Sequence, residues 1–341
     1  MIPQLDIQNL RPATYFVPSV STTLGLKDYM GAIKVRWGFG RNNYKVKPGL
    51  YKVGKPKSES DVFVSANYKL SFDSLRKNLA NIDAWLLVID TKGVNVWCSA
   101  GKKTFSAKNI VKSIKETSLE GIVKHRKIIL PQLSAPGVAA PEVKEQSGFR
   151  VIYGPVRAKD IKPFIDAGYK ATPQMRKVTF PLGERAKLIP VDLMYGKYKL
   201  LIALALVFLI SGLDRTGFLF SKMISTSSFP ISNVLGGYLA GIVITPLMLP
   251  YIPFRTFSLK GATMGILLTI VLMQIFKVTN LEIVGMGFIS IAISSFVAMN
   301  FTGSSTYTSL SGVLKEMKWA VPFQISFVVI GIVLFIVSKL I

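Results

Sequence analysis

Apolar positions along this chain fall into two regimes. Up to about residue 170 they come as short runs: Asp61 to Ala66, Ala84 to Asp90, Arg126 to Leu130 and Phe149 to Tyr153 each hold a nearly continuous apolar stretch bounded by polar or turn residues. Runs of that length read as strands buried on both faces. Between and after them, Phe72 to Ala80, Ser106 to Thr117, Pro141 to Gln146 and Ala158 to Ala167 show helical spacing. Strands alternating with helices predict an α/β domain with a parallel sheet and crossover helices, a Rossmann-like arrangement. Residues 1 to about 58, rich in Gly, Pro and Lys, are expected to wrap that sheet.

Beyond residue 197 the runs become long. Tyr198 to Phe220, Val234 to Phe254, Gly261 to Phe276, Leu281 to Met299 and Trp319 to Val337 are five candidate transmembrane helices, since about 20 residues at 1.5 Å each cover a hydrocarbon core of roughly 30 Å. The third is short, and Asp214-Arg215 interrupts the first. Residues 170–197, with Pro173, Pro181, Gly183 and Pro190, read as an irregular connector. The expected organisation is a cytoplasmic domain at 1–185, a linker at 186–197 and an all-α transmembrane domain of five helices at 198–341. Gly237-xxx-Gly241 and Gly261-xxx-Gly265 permit close helix approach there. The polar run Asn300 to Ser309 is expected as a loop.

Charge sharpens the division. Residues 200–341 hold 8 of the chain's 42 Lys and Arg and 3 of its 18 Asp and Glu, so residues 1–199 keep 34 and 15, a net +19 of the total +24. Met1 to Val20 contains prolines, Asp6, Asn9 and Arg11 rather than an apolar signal core, so the first domain is expected in the cytoplasm of a multi-pass protein of the cytoplasmic membrane. A basic surface suits anionic lipids or an acidic protein. No nucleic-acid-binding module accompanies the charge, and no nucleic-acid partner is expected.

Candidate chemistry is sparse. Gly101-Lys102-Lys103-Thr104 ends like a phosphate-binding loop, but the leading glycine is replaced by Val96. His125 is the one histidine and Cys98 the one cysteine. The pair is too few for a zinc cluster, though a Cys-His nucleophile remains open. One cysteine also excludes a self-contained iron-sulfur cluster, which takes about four thiolates, so electrons must come from a partner. A lone cysteine is ordinarily a small buried hydrophobe. Cys98, however, follows an apolar strand and precedes a helix, the junction that faces ligands in open α/β sheets. Lys102 stands one turn away in a short helix. Trp97 reads either as packing or as a flat surface for a ligand.

Asn95-Val96-Trp97-Cys98-Ser99-Ala100-Gly101-Lys102 closely resembles the cap-helix motif of the mercury-methylating corrinoid proteins. The resemblance continues through Pro48 to Gly54, Ser65 to Leu70, Leu130 to Ala140 and Ser147 to Ala158. Several of these segments also resemble the corrinoid-binding domain of the corrinoid iron-sulfur protein of the acetyl-CoA pathway, from which Cys98 sets the chain apart. The resemblance implies a methyltransferase passing a methyl group from methylcobalamin to Hg(II). Cobalamin is then bound base-off, with Cys98 as the lower axial cobalt ligand. It places the cofactor walls at Asn67 and Tyr68, at Thr91 and Gly93, at Asn95, Val96, Trp97, Ser99, Ala100, Gly101 and Lys102, at Leu133, Ala135, Pro136, Gly137 and Val138, and at Tyr153, Gly154 and Pro155. The implied partners are a ferredoxin-like iron-sulfur protein supplying electrons and Hg(II), and a methyltetrahydrofolate-linked methyl donor. Alternatives are a membrane-anchored corrinoid methyl carrier of the acetyl-CoA pathway and a non-enzymatic membrane sensor or scaffold.

Overall fold

The computed structural model describes residues 17–278, 280–301 and 310–341. Most of the polar run at 302–309 lies outside the described residues, as do residues 1–16 of the N-terminal lead. The chain forms two compact units, one from residues 17–35 and 40–178 and one from residues 36–39 and 179–341.

The elements run α1 (Leu26–Arg36), β1 (Gly49–Val53), β2 (Val62–Ala66), α2 (Lys69–Lys77), β3 (Ala84–Ile89), α3 (Val96–Gly101), α4 (Ala107–Glu116), α5 (Leu119–Ile122), β4 (Lys127–Leu130), α6 (Ala140–Ser147), β5 (Arg150–Tyr153) and α7 (Ile161–Asp166). The sheet order is β1-β3-β2-β4-β5. β3, β2, β4 and β5 are mutually parallel, which matches the four strands expected. The sheet is nevertheless mixed, because β1 pairs antiparallel with the outer edge of β3, Leu50 opposite Leu87. The lead expected only to wrap the sheet thus contributes a strand.

Each face of the sheet has its own core. Val62, Val64 and Ala66 pack with Ile110 and Ile114 of α4 and Val143 of α6. Phe63, Leu86 and Val88 pack with Phe72 of α2 and with Ile161 and Phe164 of α7. Alternate residues of one strand therefore serve opposite layers, which is why these strands read as continuous apolar runs.

An ionic knot joins α1 to α2. Lys69 Nζ donates to Asp28 (2.6 Å) and Asp73 (2.6 Å), while Arg76 donates to Asp28 (2.8 Å) and Asp73 (2.7 Å). The hydrogen bond from Lys69, with those from the Gly25 amide and Arg76, outweighs burial and lowers the Asp28 carboxyl from 3.8 to about 2. A depressed carboxyl contributes stability that is full above its unfolded value and lost as pH falls through the folded one. We therefore expect about 2 kcal/mol to disappear between roughly pH 5 and pH 2, since a tenfold change in an ionisation constant is worth about 1.4 kcal/mol. Urea titrations across that range should show the loss, and Asp28→Asn should flatten this part of the profile.

The second unit comprises α8 (Leu182–Ala186), α9 (Ile189–Ile210), the two-residue strands β6 (Leu213–Asp214) and β7 (Gly217–Phe218), α10 (Phe220–Thr226), α11 (Ser228–Leu239), α12 (Thr245–Met248), α13 (Phe257–Ile275), α14 (Asn280–Asn300) and α15 (Leu310–Leu340). A π-helical turn (Ala240–Ile244) carries α11 into α12. Among the described residues five stretches are long and apolar enough to cross a membrane. The first ends at Ile210 rather than Phe220, because Asp214 and Arg215 lie in the β6-β7 hairpin, where Asp214 pairs with Lys222 (2.7 Å). The expected linker is already helical from Ile189, with Pro190 in the first turn, where its missing N–H costs nothing. The third stretch is four residues longer at its start than its apolar run suggests.

α14 is the centre of this unit. A Cβ on Gly237 or Gly265 would press on Ser290, and one on Gly241 or Gly261 on the Ser294 carbonyl, so both glycine pairs serve close packing against α14. Buried Glu282 of α14 pairs with half-buried Lys339 of α15 (2.8 Å), so each charge is compensated.

Candidate functional site

Parallel strands end on a common edge, and the expected cofactor-wall residues lie in segments that follow those ends, except Tyr153, which is the last residue of β5. The order reverses between β2 and β4, and the helices that follow these strands pack on opposite faces of the sheet, α2 on one and α6 on the other.

Cys98 sits on α3, just past the end of β3. The Cys98 amide donates to Asn95 Oδ1 (2.9 Å), which caps the helix. Val96 and Ala100 turn inward to the core, while Trp97 (38% exposed) and the Cys98 thiol face outward. The alternative of a core tryptophan is thus decided in favour of the surface. Ser99 is fully buried, its hydroxyl bonded to the Asn95 and Val96 carbonyls (2.6 and 3.0 Å). Lys102 closes the helix through its amide to the Cys98 carbonyl (3.1 Å), and the Lys102 and Lys103 side chains are exposed.

The depth of α3 is set by the segment after β4. Gly137 lies so close that an added Cβ would stand 2.6 Å from the Phe105 carbonyl oxygen and 2.7 Å from Ala100 Cα. Leu133, Ala135 and Gly137 are half-buried, Pro136 is exposed and Val138 belongs to the core. Tyr153 donates its hydroxyl to the Val138 carbonyl (2.7 Å), tying the end of β5 to this segment. Burial raises the Tyr153 phenol above its ordinary value. Gly154 and Pro155 are buried, the Gly154 amide bonded to Leu130 (2.8 Å).

Asn67, expected as a cofactor wall, is 1% exposed and spends its side chain internally. Its Oδ1 accepts from the amides of Thr91 (3.1 Å) and Gly93 (3.0 Å) and lies 2.9 Å from the Thr91 hydroxyl, and its Nδ2 donates to Asp90 (2.9 Å). It therefore clamps the β3-α3 turn to the end of β2. Asp90 also accepts the Lys92 amide (2.9 Å). Sequence reasoning does not single out Asp90; an Asp opening the turn Thr91-Lys92-Gly93 is the signal that points to it. Tyr68, Thr91 and Gly93 are buried beside this clamp. We expect Asn67→Ala to cost about 2–4 kcal/mol by stranding buried amides, measurable by chemical denaturation.

His125 lies at the opposite edge of the sheet, before β4. It accepts the Lys127 amide at Nδ1 (3.2 Å), so Nε2 is the donor to the Ser60 carbonyl (2.9 Å). Cys98 and His125 are separated by the length of the strands, on the order of 13 Å for four residues, which removes the Cys-His nucleophile pair.

Among the described residues no three His, Cys, Asp or Glu side chains gather as they would around a bare metal ion. A metal served by Cys98 alone must carry other ligands of its own, as a macrocyclic metal complex does, and an exposed soft sulfur donor fits such an axial position.

Residues 37–165 match the family model for the CO dehydrogenase/acetyl-CoA synthase delta subunit. The chain is 33% identical over 128 residues to the acetyl-CoA decarbonylase/synthase complex subunit gamma of Methanopyrus kandleri, covering 37% of this chain and 27% of that protein. It is 30% identical over 131 residues to the subunit of the same name from Archaeoglobus fulgidus, covering 38% and 27%. Against the corrinoid/iron-sulfur protein large subunit of Moorella thermoacetica it is 30% identical over 125 residues, covering 36% and 28%. The chain thus spans little more than a quarter of the length of these relatives. The matched segment ends before the first long helix, so the α/β unit is the part similar to subunits of the acetyl-CoA decarbonylase/synthase complex and to a corrinoid/iron-sulfur protein.

Proposed function

We propose that this protein is a membrane-anchored, cobalamin-dependent methyltransferase that transfers a methyl group to Hg(II), with Cys98 as the lower axial ligand of cobalt. The observation that carries this reading is the exposed Cys98 thiol on α3, at the edge where the parallel strands end. The strand order supports a Rossmann-like corrinoid domain with its crevice at that edge, and the named relatives support the corrinoid.

Cobalamin, bound base-off, supplies the transferable methyl group. This chain's residues do the rest. Cys98 presents sulfur, a soft and strongly donating ligand. Asn95 fixes the first turn that carries it, and Ala100 against Gly137 sets its depth. Trp97 offers a flat exposed face, and Lys102 and Lys103 place cations at the rim. With one cysteine in the chain, a ferredoxin-like iron-sulfur protein is the electron donor in this proposal, and also the source of Hg(II). A methyltetrahydrofolate-linked system supplies the methyl group. The α/β domain stands on the cytoplasmic side, with lipid around the five helices.

A second reading, a corrinoid methyl carrier of the acetyl-CoA pathway, is the one the relatives' names favour, since those named above belong to that chemistry or to a corrinoid/iron-sulfur protein. Cys98 and the apolar second unit weigh toward the first reading. The deciding experiment takes the full chain purified without oxygen and loaded with cobalamin. A visible spectrum changed by sulfur ligation, followed by methylmercury formation from Hg(II), is expected. Methyl delivery to an acetyl-CoA synthase without methylmercury would establish the carrier, and failure to bind cobalamin would remove both.

A further inference from the structure

α1 carries two apolar stripes, and its own domain uses one of them. Asp28, Gly31 and Val35 turn inward: Asp28 enters the ionic knot with α2, Gly31 leaves room for Tyr44, and Val35 is buried. Leu26, Tyr29, Met30 and Ile33, at i, i+3, i+4 and i+7, share the opposite face, with exposed Trp37 just past the helix end. Leu26 is 76% exposed, Met30 62% and Ile33 58%. A surface helix ordinarily shows polar residues where these stand, and an exposed row of large apolar side chains marks a contact with a partner or a membrane.

Charge indicates which of the two it meets. On a circumference of 3.6 residues per turn, Lys27 and Lys34 border the row on one side and Arg36 on the other, both lysines being exposed. Asp28, the one acidic residue of α1, faces Lys69 and Arg76 instead, so the outer half of the helix is cationic. Cations flanking an apolar stripe can lay their stems along it and hold their charge at the level of lipid phosphates.

The chain beyond α1 points the same way. Residues 36–39 belong to the helical unit, and a Cβ on Gly38 would stand 3.7 Å from Val191 and 3.9 Å from Met194 of α9. After Met194, α9 carries Tyr195, Lys197, Tyr198 and Lys199, both tyrosines exposed, before its unbroken apolar run begins at Leu200. Tyrosine and lysine ahead of such a run mark the membrane–water interface. Six residues at 1.5 Å put Met194 about 9 Å before the run, close to the depth at which in-plane amphipathic helices lie.

We propose that α1 lies flat in the headgroup layer of an anionic membrane leaflet, with Leu26, Met30 and Ile33 toward the acyl chains and Lys27, Lys34 and Arg36 against lipid phosphates. This inference rests on the helical unit spanning a membrane and is independent of the corrinoid site.

The full chain in lipid nanodiscs tests it, carrying Cys98→Ala and one introduced thiol that bears an environment-sensitive fluorophore. Met30→Cys and Ile33→Cys report on the outer face of α1, and Ile270→Cys, at an exposed position of α13, reports on a span. In discs containing phosphatidylglycerol, lipid-borne quenchers should darken the α1 labels and aqueous iodide should not. Each basic residue near an anionic surface is worth about fivefold, so the ratio of lipid-buried to water-exposed α1 label should fall at least about tenfold in discs of phosphatidylcholine alone. Equal ratios in the two lipids overturn the proposal. So does free access of iodide, and so does protection from iodide without quenching by lipid, which means that a protein, a second copy included, covers the face. A span label that lipid does not quench removes the membrane premise and the inference with it, whereas a quenched span label beside water-exposed α1 labels rejects the inference alone. Met30 and Ile33 lie outside the core, so either position gives the answer if the other variant misfolds.

Discussion

Cys98→Ala should abolish methyl transfer to Hg(II) and leave the fold intact. The thiol is exposed, and the hydrogen bond holding the first turn of α3 runs from the Cys98 backbone amide to Asn95, which alanine preserves. The stability change should therefore stay within about 0.5 kcal/mol, as for surface positions without special contacts. Activity in the proposed scheme, in contrast, depends on a thiolate donor, and Cys98 is the one cysteine of the chain. Thermal melts, methylmercury formation and the spectrum of the cobalamin-loaded variant provide the three readouts. Cys98→His is the sharper probe, because imidazole also ligates cobalt but donates less strongly than thiolate. It should retain reduced activity. Near wild-type methylation by the alanine variant would end the assignment of Cys98 as a ligand.

The second large effect is expected at Gly137, through its close approach to α3. The new methyl group of Gly137→Ala would meet backbone atoms of Phe105 and Ala100, which cannot swing aside as a flexible side chain can. Relief requires α3 or the segment after β4 to move. Overpacking of this kind costs about 1–3 kcal/mol. The larger consequence is displacement of Cys98, since errors near 1 Å in a reacting site cost on the order of 100-fold in rate. The variant should fold with a lowered melting temperature, keep its thiol reactive toward a soluble reagent, and lose both the sulfur-ligation spectrum and methyl transfer. Wild-type values for spectrum and rate would show that α3 is not held at a required depth.

Legibility in the sequence followed the range of the interactions involved. β2, β3 and β4 could be read because they are buried on both faces and carry their own apolar runs, and β5, half-buried at the sheet's edge, because its apolar run follows the turn at Gly148. β1 could not, since Gly49–Val53 buries only Leu50 and Val53 and carries no continuous apolar run, and its strand character comes from pairing with β3, more than thirty residues away. The five apolar stretches were evident from composition, but the end of the first was misplaced. Apolar residues flank Asp214-Arg215 on both sides, while the hairpin there depends on a backbone turn at Gly217, with φ of 121°. At the site, the position of Cys98 was visible and the division of labour around it was not. Asn67 and Trp97 looked equally suited to meeting a ligand. Only the fold shows that one is consumed by a turn twenty-four residues on and the other faces outward.

The solitary, outward-facing thiol also governs how this chain ages in air. With no second cysteine in the sequence, oxidation to a disulfide cannot be completed within one molecule. Two chains must meet, or a small thiol must cap the sulfur, and the first of these routes accelerates with protein concentration. A covalent dimer that a reductant separates is then the first sign of damage, and concentrated stocks will spoil before dilute ones.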